Sequence, residues 1–243
     1  MATADAMTTT RILITCEHGG NEVPHEYTPL FTSPGAKRDL HSHRGYDPGS
    51  LHAATQLSLK LESPLISSTT TRLLVDLNRS LDNPQLFSKY TRSLTQNAQA
   101  SLLKRHYHPY RKRVEAKIRT LLNCHDRVIH LSMHTFTPRF RGSHRPVDLG
   151  ILYDPARREE RQFCDAVGNR MAALVPSRRV RDNEPYLGID DGLTTYLRTQ
   201  HPSQRYVGIE IEINNRYARW QEKQKLTLIT QLAKAIRDDS FDF

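Results

Sequence analysis

Between Val128 and Asp154 the chain reads VIHLSMHTFTPRFRGSHRPVDLGILYD, and its opening alternates. Ile129, Leu131 and Met133 fall on one face of an extended segment, His130, Ser132 and His134 on the other. A short, largely apolar strand bounded by Thr-Phe-Thr-Pro is a buried strand that ends near Thr135. His134 then sits at a strand's carboxyl end, where open α/β sheets hold their ligands. Taken alone, such a histidine is equally explained as a core residue bonded to a backbone carbonyl.

A second segment, YVGIEIEIN at 206–214, repeats the pattern with a sharper contrast. Val207, Ile209, Ile211 and Ile213 share one face, and Gly208, Glu210, Glu212 and Asn214 the other. Those carboxylates must meet water, a cation or a ligand, because an unpaired buried charge is costly. A wet edge strand satisfies that demand, and so does a general base acting on metal-activated water. Residues 11–16, RILITC, form a buried first strand, and Leu65-Ile66 a short further one. Apolar residues at helical spacing mark helices near 49–61, 94–123 (one, or two separated at Pro109), 157–174 and 217–237. Residues 182–192 are turn-rich loop. Strands alternating with helices define an α/β sandwich around a mainly parallel or mixed sheet.

The chain has 243 residues, enough for one large domain over 11–243. Its first ten, MATADAMTTT, read as a frayed tail without the basic start and apolar core of a secretory signal. No run of about 18 apolar residues spans a membrane. Cys16, Cys124 and Cys164 are widely spaced and odd in number, which suits reduced thiols in a cytoplasmic protein. The net charge of +9 permits phosphate contacts with nucleic acid, and equally draws a small anionic substrate to an arginine-lined cleft. The basic residues are scattered, with modest clusters at Arg111-Lys112-Arg113, on the wet face of a helix, and at Arg178-Arg179. That pattern favours the small anion over nucleic acid.

His18 follows the first strand in the loop EHGGNEVP, and Asp47 lies in a second polar loop, HSHRGYDPGS. Two imidazoles and one carboxylate, with a position left open, are the ligand set of a catalytic zinc. His18 and His134 supply the imidazoles; Glu17, Glu22 and Asp47 compete for the third place. Arg79, Arg141 and Arg145 stand near these segments and offer bidentate forks to a carboxylate. No nucleophile elbow, phosphate loop or dinucleotide fingerprint is present.

Taken in order, CEHGGNEVP, HRGYDPG, LLVDLNRS, HLSMHTFTPRFRG, DLGILYDP, NEPYLGIDDG and GIEIEIN resemble the N-formylglutamate amidohydrolase family, from about residue 11 to 215. The resemblance implies a zinc-carboxypeptidase-like three-layer α/β/α sandwich with a mixed, mainly parallel sheet. It implies metal-dependent hydrolysis of an N-acyl amide, typically N-formyl-L-glutamate to formate and glutamate. His18 and His134 match the family's two histidines, Asp47 an acid that recurs in its second loop, Asn78-Arg79 its Asp-Leu-Asn-Arg signature, and Glu212 its strand glutamate. Related zinc carboxypeptidases carry His-x-x-Glu, whereas this chain has His18-x-x-x-Glu22, which moves the third-ligand choice to Asp47. The implied site is one zinc ion on His18, Asp47 and His134, with Glu212 and Arg79 catalytic and Asn78, Arg145 and Tyr186 binding substrate. The strand end SMHTFTP departs from better-known members and marks a divergent branch, so the acyl group stays open. A peptidase-like amidase, or a basic nucleic-acid-binding protein that keeps the fold without catalysis, are the alternatives.

Overall fold

The first apolar run folds as β1 (Thr10–Cys16), the opening strand of a computed structural model that describes residues 9–237. A 3-10 turn (His25–Phe31), α1 (Pro34–Leu40) and α2 (Ser50–Leu61) lead to β2 (Leu65–Ser67). After a turn-rich stretch come α3 (Gln96–Leu102), a π turn (Leu103–Tyr107), α4 (His108–Cys124) and β3 (Arg127–Phe136). A hairpin of β4 (Arg139–Phe140) and β5 (Ser143–His144) precedes β6 (Leu149–Leu152), α5 (Arg158–Leu174) and β7 (Val180–Asp182). Then α6 (Leu193–Gln200), β8 (Tyr206–Asn214) and α7 (Glu222–Ile236) complete the described chain.

Six strands make one sheet in the order β2-β1-β3-β8-β6-β7. The first four are mutually parallel; β6 runs antiparallel to β8, and β7 parallel to β6. Ile12, Ile129, Leu131, Ile209 and Ile211 pack with residues of α2, α5 and α7 in one core. Leu13, Val128 and Tyr206 pack with residues of α3, α4 and α6 in the other. Helices thus cover both faces, and the fold is a three-layer α/β/α sandwich with a mixed, mainly parallel sheet.

Register decides where the polar faces go. Ser132 pairs with Glu210 and His134 with Glu212, so the polar sides of β3 and β8 coincide. β8 lies between β3 and β6 and is no wet edge strand. Its two glutamates instead face a crevice at the carboxyl ends of the parallel strands.

The sequence-based boundaries of β1, β3, β8, α2 and α5 agree with the structure to within about one residue. The 94–123 segment is continuous: the wider π turn sits just before Pro109, whose ring and missing N–H would break a regular α ladder. The final helix begins later than 217, because a 3-10 turn occupies Asn215–Arg219 and a Gln221–Gln224 capping box starts α7. Arg111 departs from the wet-face reading of its cluster. It is buried, with its guanidinium 4.6 Å from the Tyr196 ring centre and bonded to the Leu77 carbonyl. The reading of residues 1–10 as a tail falls mostly on residues 1–8, outside the described residues, while Thr10 already belongs to β1. Among the described residues no helix is long and apolar enough to cross a membrane.

Candidate metal centre and active cavity

β1 delivers Glu17 and His18 at its end, and β3 delivers His134 two strand positions past Ser132. The loop carrying Asp47 is tied to β1's exit by the bond from Asp47 N–H to the His18 carbonyl, 2.9 Å. Gly49, in the left-handed region at φ 91°, then turns the chain into α2. These connections bring His18, Asp47 and His134 together, all buried, with one ligand atom from each within 4.8 Å of the others.

Asp47 Oδ2 is the centre of that group. It lies 3.0 Å from His134 Nδ1 and 3.4 Å from His18 Nδ1. The far nitrogens are held by carboxylates. His18 Nε2 donates to Asp76 Oδ1 at 2.7 Å. His134 Nε2 donates to Ser132 Oγ at 2.9 Å, and Ser132 in turn donates to Glu17 Oε2 at 2.6 Å, itself 3.3 Å from His134 Nε2. Both imidazoles therefore turn their Nδ1 atoms toward Asp47, the carboxylate-backed arrangement of metal-binding histidines. His18 Nδ1 is buried without a hydrogen-bond partner. A cation there would meet a lone pair, and the donor set of two nitrogens and one oxygen suits zinc.

Electrostatics follow from the same contacts. Burial alone would raise the Asp47 pKa, but His18, His134 and Arg72 outweigh it and hold the carboxyl well below its usual range. Burial likewise opposes ionisation of Glu17 and Asp76, and their partners, His134 with Ser132 for the first and the Arg72 guanidinium with the His18 hydrogen bond for the second, again prevail. For His134 burial pulls down, while Asp47 and Glu17 push its pKa well above the ordinary imidazole value.

Glu212 differs from these. It is buried, its Oε2 has no hydrogen-bond partner, and burial pushes its pKa up to about 8, with Asp47 and Glu210 adding and His134 opposing. Room for it comes from Gly150 on the facing strand, where a Cβ would stand 3.3 Å from that of Glu212 and 2.0 Å from the Glu184 carbonyl. Glu210, one pleat away, accepts from Thr194 Oγ1 at 2.9 Å. The two glutamates share a strand face but only Glu212 is uncommitted.

These groups open into a cavity of about 260 Å³. Its wall includes all of His18, Asp47, His134, Glu212, Asn78, Arg79 and Tyr186 from the sequence-predicted set. Arg145 is not on that wall. The β4–β5 hairpin carries it to the rim, where its Nη1 donates to Tyr186 Oη at 3.0 Å. Arg79 Nη1 bonds the Asp191 carbonyl, and its Nε is buried without a partner. Asn78 accepts from Leu193 N–H at 2.6 Å, joining the loop to α6.

Glu22 is outside the cluster and accepts from Thr69 at 2.6 Å. Glu17 sits behind His134 rather than beside Asp47. Sequence reasoning missed Arg72 and Asp76. Arg72 Nη2 and Nε hold Asp76 Oδ2 at 2.6 and 3.1 Å, and Nη1 reaches Asp47 Oδ1 at 3.3 Å. Asp76 stands inside the LLVDLNRS motif, so its segment was visible, but its pairing with His18, 58 residues away, was not.

A histidine–carboxylate cluster at the carboxyl ends of central parallel strands, facing a buried and unpaired carboxyl across a polar cavity, is a layout suited to hydrolysis on an open α/β sheet. A family model described as N-formylglutamate amidohydrolase matches residues 10–218, and the chain belongs to that family. A gene product from Agrobacterium tumefaciens is similar at 26% identity over 94% of this chain and 90% of its own, with a TM-score of 0.78. The N-formylglutamate amidohydrolase from Ralstonia eutropha shares the fold at 18% identity, over 96% of this chain and 93% of its own, with a TM-score of 0.71. None of the curated proteins matches the sequence.

Proposed function

We propose that the protein is a zinc-dependent amidohydrolase that cleaves the amide of a small N-acyl acidic amino acid such as N-formyl-L-glutamate. The observation that carries this reading is the convergence of two carboxylate-backed imidazoles on Asp47, facing the uncommitted Glu212 across one cavity. His18, Asp47 and His134 would hold the ion, which supplies Lewis acidity to the acyl carbonyl and to water in the cavity.

The chain's own groups do the rest. Asp76 and the Ser132–Glu17 pair fix the tautomers and ring orientations of the two histidines. A cation held by the three ligands would favour the ionised form of Glu212, whose carboxylate is the proton acceptor in this reading. Glu212 then takes a proton from the attacking water and returns it to the departing amine. Arg79 pairs with the substrate's carboxylate, and Asn78 lines the same wall. Arg145 contributes from the rim through Tyr186.

The test is direct. Protein purified without chelator is analysed for metal, then assayed for formate release from N-formyl-L-glutamate. The reading expects about one zinc per chain and turnover that chelation abolishes and zinc restores. Metal-free protein that neither binds zinc nor releases formate, while binding random DNA in a salt-sensitive manner, would establish the nucleic-acid alternative instead.

A further inference from the structure

A single exposed apolar side chain is ordinary, but several contiguous ones mark an interaction site. Three of the exposed ones here, Tyr186, Leu187 and Ile189, fall within four residues of one loop, and Leu187 and Ile189 are 52% and 54% exposed. Tyr186 and Leu187 are at the same time part of the cavity wall. This loop is firmly anchored. Gly188 presses so closely on β6 that a Cβ would lie 2.1 Å from the Tyr153 nitrogen. Its N–H donates to Asn183 Oδ1 at 2.8 Å, its carbonyl accepts from Arg198, and Asp190 Oδ2 accepts from Leu187 N–H at 3.1 Å. The backbone is pinned while the side chains flanking Gly188 remain outside.

Beside this loop, Arg145 lies between two rings, 4.5 Å from the centre of Phe140 and 4.9 Å from that of Tyr186. Phe140 is itself 47% exposed. The hairpin and the loop thus form one apolar and aromatic rim on a cavity whose wall is otherwise mostly charged and polar. A formyl group and a glutamate carry no large apolar surface to meet Leu187, Ile189 and Phe140.

Resting on the amidohydrolase reading above, we propose that the physiological substrate carries a bulky apolar or aromatic group which leaves the polar cavity and lies on the exposed Tyr186–Leu187–Ile189 rim. Either end of the molecule can supply that group: a long acyl chain on one side of the scissile amide, or an apolar extension of the amino acid on the other. Continuity of Tyr186 and Leu187 with the cavity wall favours a substrate over a protein partner, because one ligand can touch both surfaces at once.

The experiment compares kcat/KM of the zinc-loaded protein for N-formyl-L-glutamate, N-decanoyl-L-glutamate and the γ-benzylamide of N-formyl-L-glutamate. One extended compound should exceed N-formyl-L-glutamate by at least about tenfold, the scale of burying a few methylene groups, and which one does so identifies the end that carries the group. In a Leu187→Ser/Ile189→Ser variant that ratio should fall close to one; using the ratio within one variant removes any general loss of folded enzyme. Turnover of N-formyl-L-glutamate with no advantage for either extended compound overturns this inference and leaves the amidohydrolase reading intact. An advantage that survives in the variant also overturns it. No turnover of any compound by zinc-bound protein overturns both. A dimer by light scattering that Ile189→Ser makes monomeric assigns the rim to a protein interface, and the inference then fails.

Discussion

Replacing Asp76 by Asn tests whether His18 is a ligand oriented from behind. The side chain keeps its size and an oxygen toward His18 Nε2, at 2.7 Å in the parent, but it loses its charge and puts an NH2 group where Oδ2 accepts both Arg72 bonds. Losing the carboxylate behind a metal-bound histidine lowers metal affinity about 10–100-fold, which at about 1.4 kcal/mol per decade is roughly 1.4–2.7 kcal/mol. The metal-free protein should also weaken. Breaking a buried ion pair costs about 3–5 kcal/mol, yet the Arg72 side chain is 24% exposed and keeps Asp47 at 3.3 Å, so about 2 kcal/mol is expected. Zinc affinity is read by competition with a chromophoric chelator, with circular dichroism confirming that the variant is folded. Glu22→Gln is the control, since the Glu22 carboxylate is bonded to Thr69 outside the cluster and the change should leave affinity within about twofold. A folded Asp76→Asn protein that binds zinc as tightly as the wild type would refute the assignment of His18 as a carboxylate-backed ligand.

Glu212→Gln should retain zinc and fold while kcat drops at least about 10²-fold, whereas Glu210→Gln, already tied to Thr194, should be far milder; the reverse order in steady-state assays makes Glu210 the base. Arg79→Lys keeps the charge but loses the fork, so kcat/KM should fall more for N-formyl-L-glutamate than for its α-amide; equal losses would show that Arg79 does not read the substrate's carboxylate. His130, wholly buried between Thr15 and Tyr206, has its pKa lowered by burial to about 4. Because the folded value lies below the unfolded one near 6.5, its contribution is intact above pH 6.5 and is lost as pH falls toward 4. Urea unfolding should therefore lose about 2 kcal/mol from this group between pH 6.5 and 5, a loss absent in His130→Gln; parallel curves for the two proteins would contradict it.

The parts of the fold that were legible share one property, a long enough periodic pattern. The isoleucine faces of β3 and β8 and the stripes of α2 and α5 state their burial directly. β7, α1 and α6 are only 3, 7 and 8 residues long and interrupted by charge, so periodicity has too little length to act on. Strand order was beyond reach as well: nothing local in YVGIEIEIN tells a central strand from an edge, and the ladders to β3 and β6 make that difference. In the site, His18 and His134 were visible because they end strands, and Asp47 because of its loop. The network behind them was not. Arg72 and Asp76 meet His18 and Asp47 through contacts of long sequence separation, and Arg145, adjacent to β3 in sequence, is carried outward by a two-residue-strand hairpin.

The polar face of β3 and β8 concentrates ionisable groups that a central sheet position would ordinarily exclude. Asp76 is matched by Arg72 and His18, Glu17 by Ser132, Tyr110 and His134, and Asp47 by both histidines and Arg72. Among the described residues, buried side-chain polar atoms without a hydrogen-bond partner include His18 Nδ1, Arg79 Nε and Glu212 Oε2, all from residues on the wall of one cavity. A base, a cationic fork and a free imidazole lone pair are the groups that the proposed hydrolysis calls for. The carboxylates of Asp76, Glu17 and Asp47 are matched by partners, whereas these three atoms are not. Stability argues the same way: filling the cluster with a cation and the cavity with an anion would relieve the groups that folding leaves unpaired, so both ligands should stabilise the folded state as well as react within it.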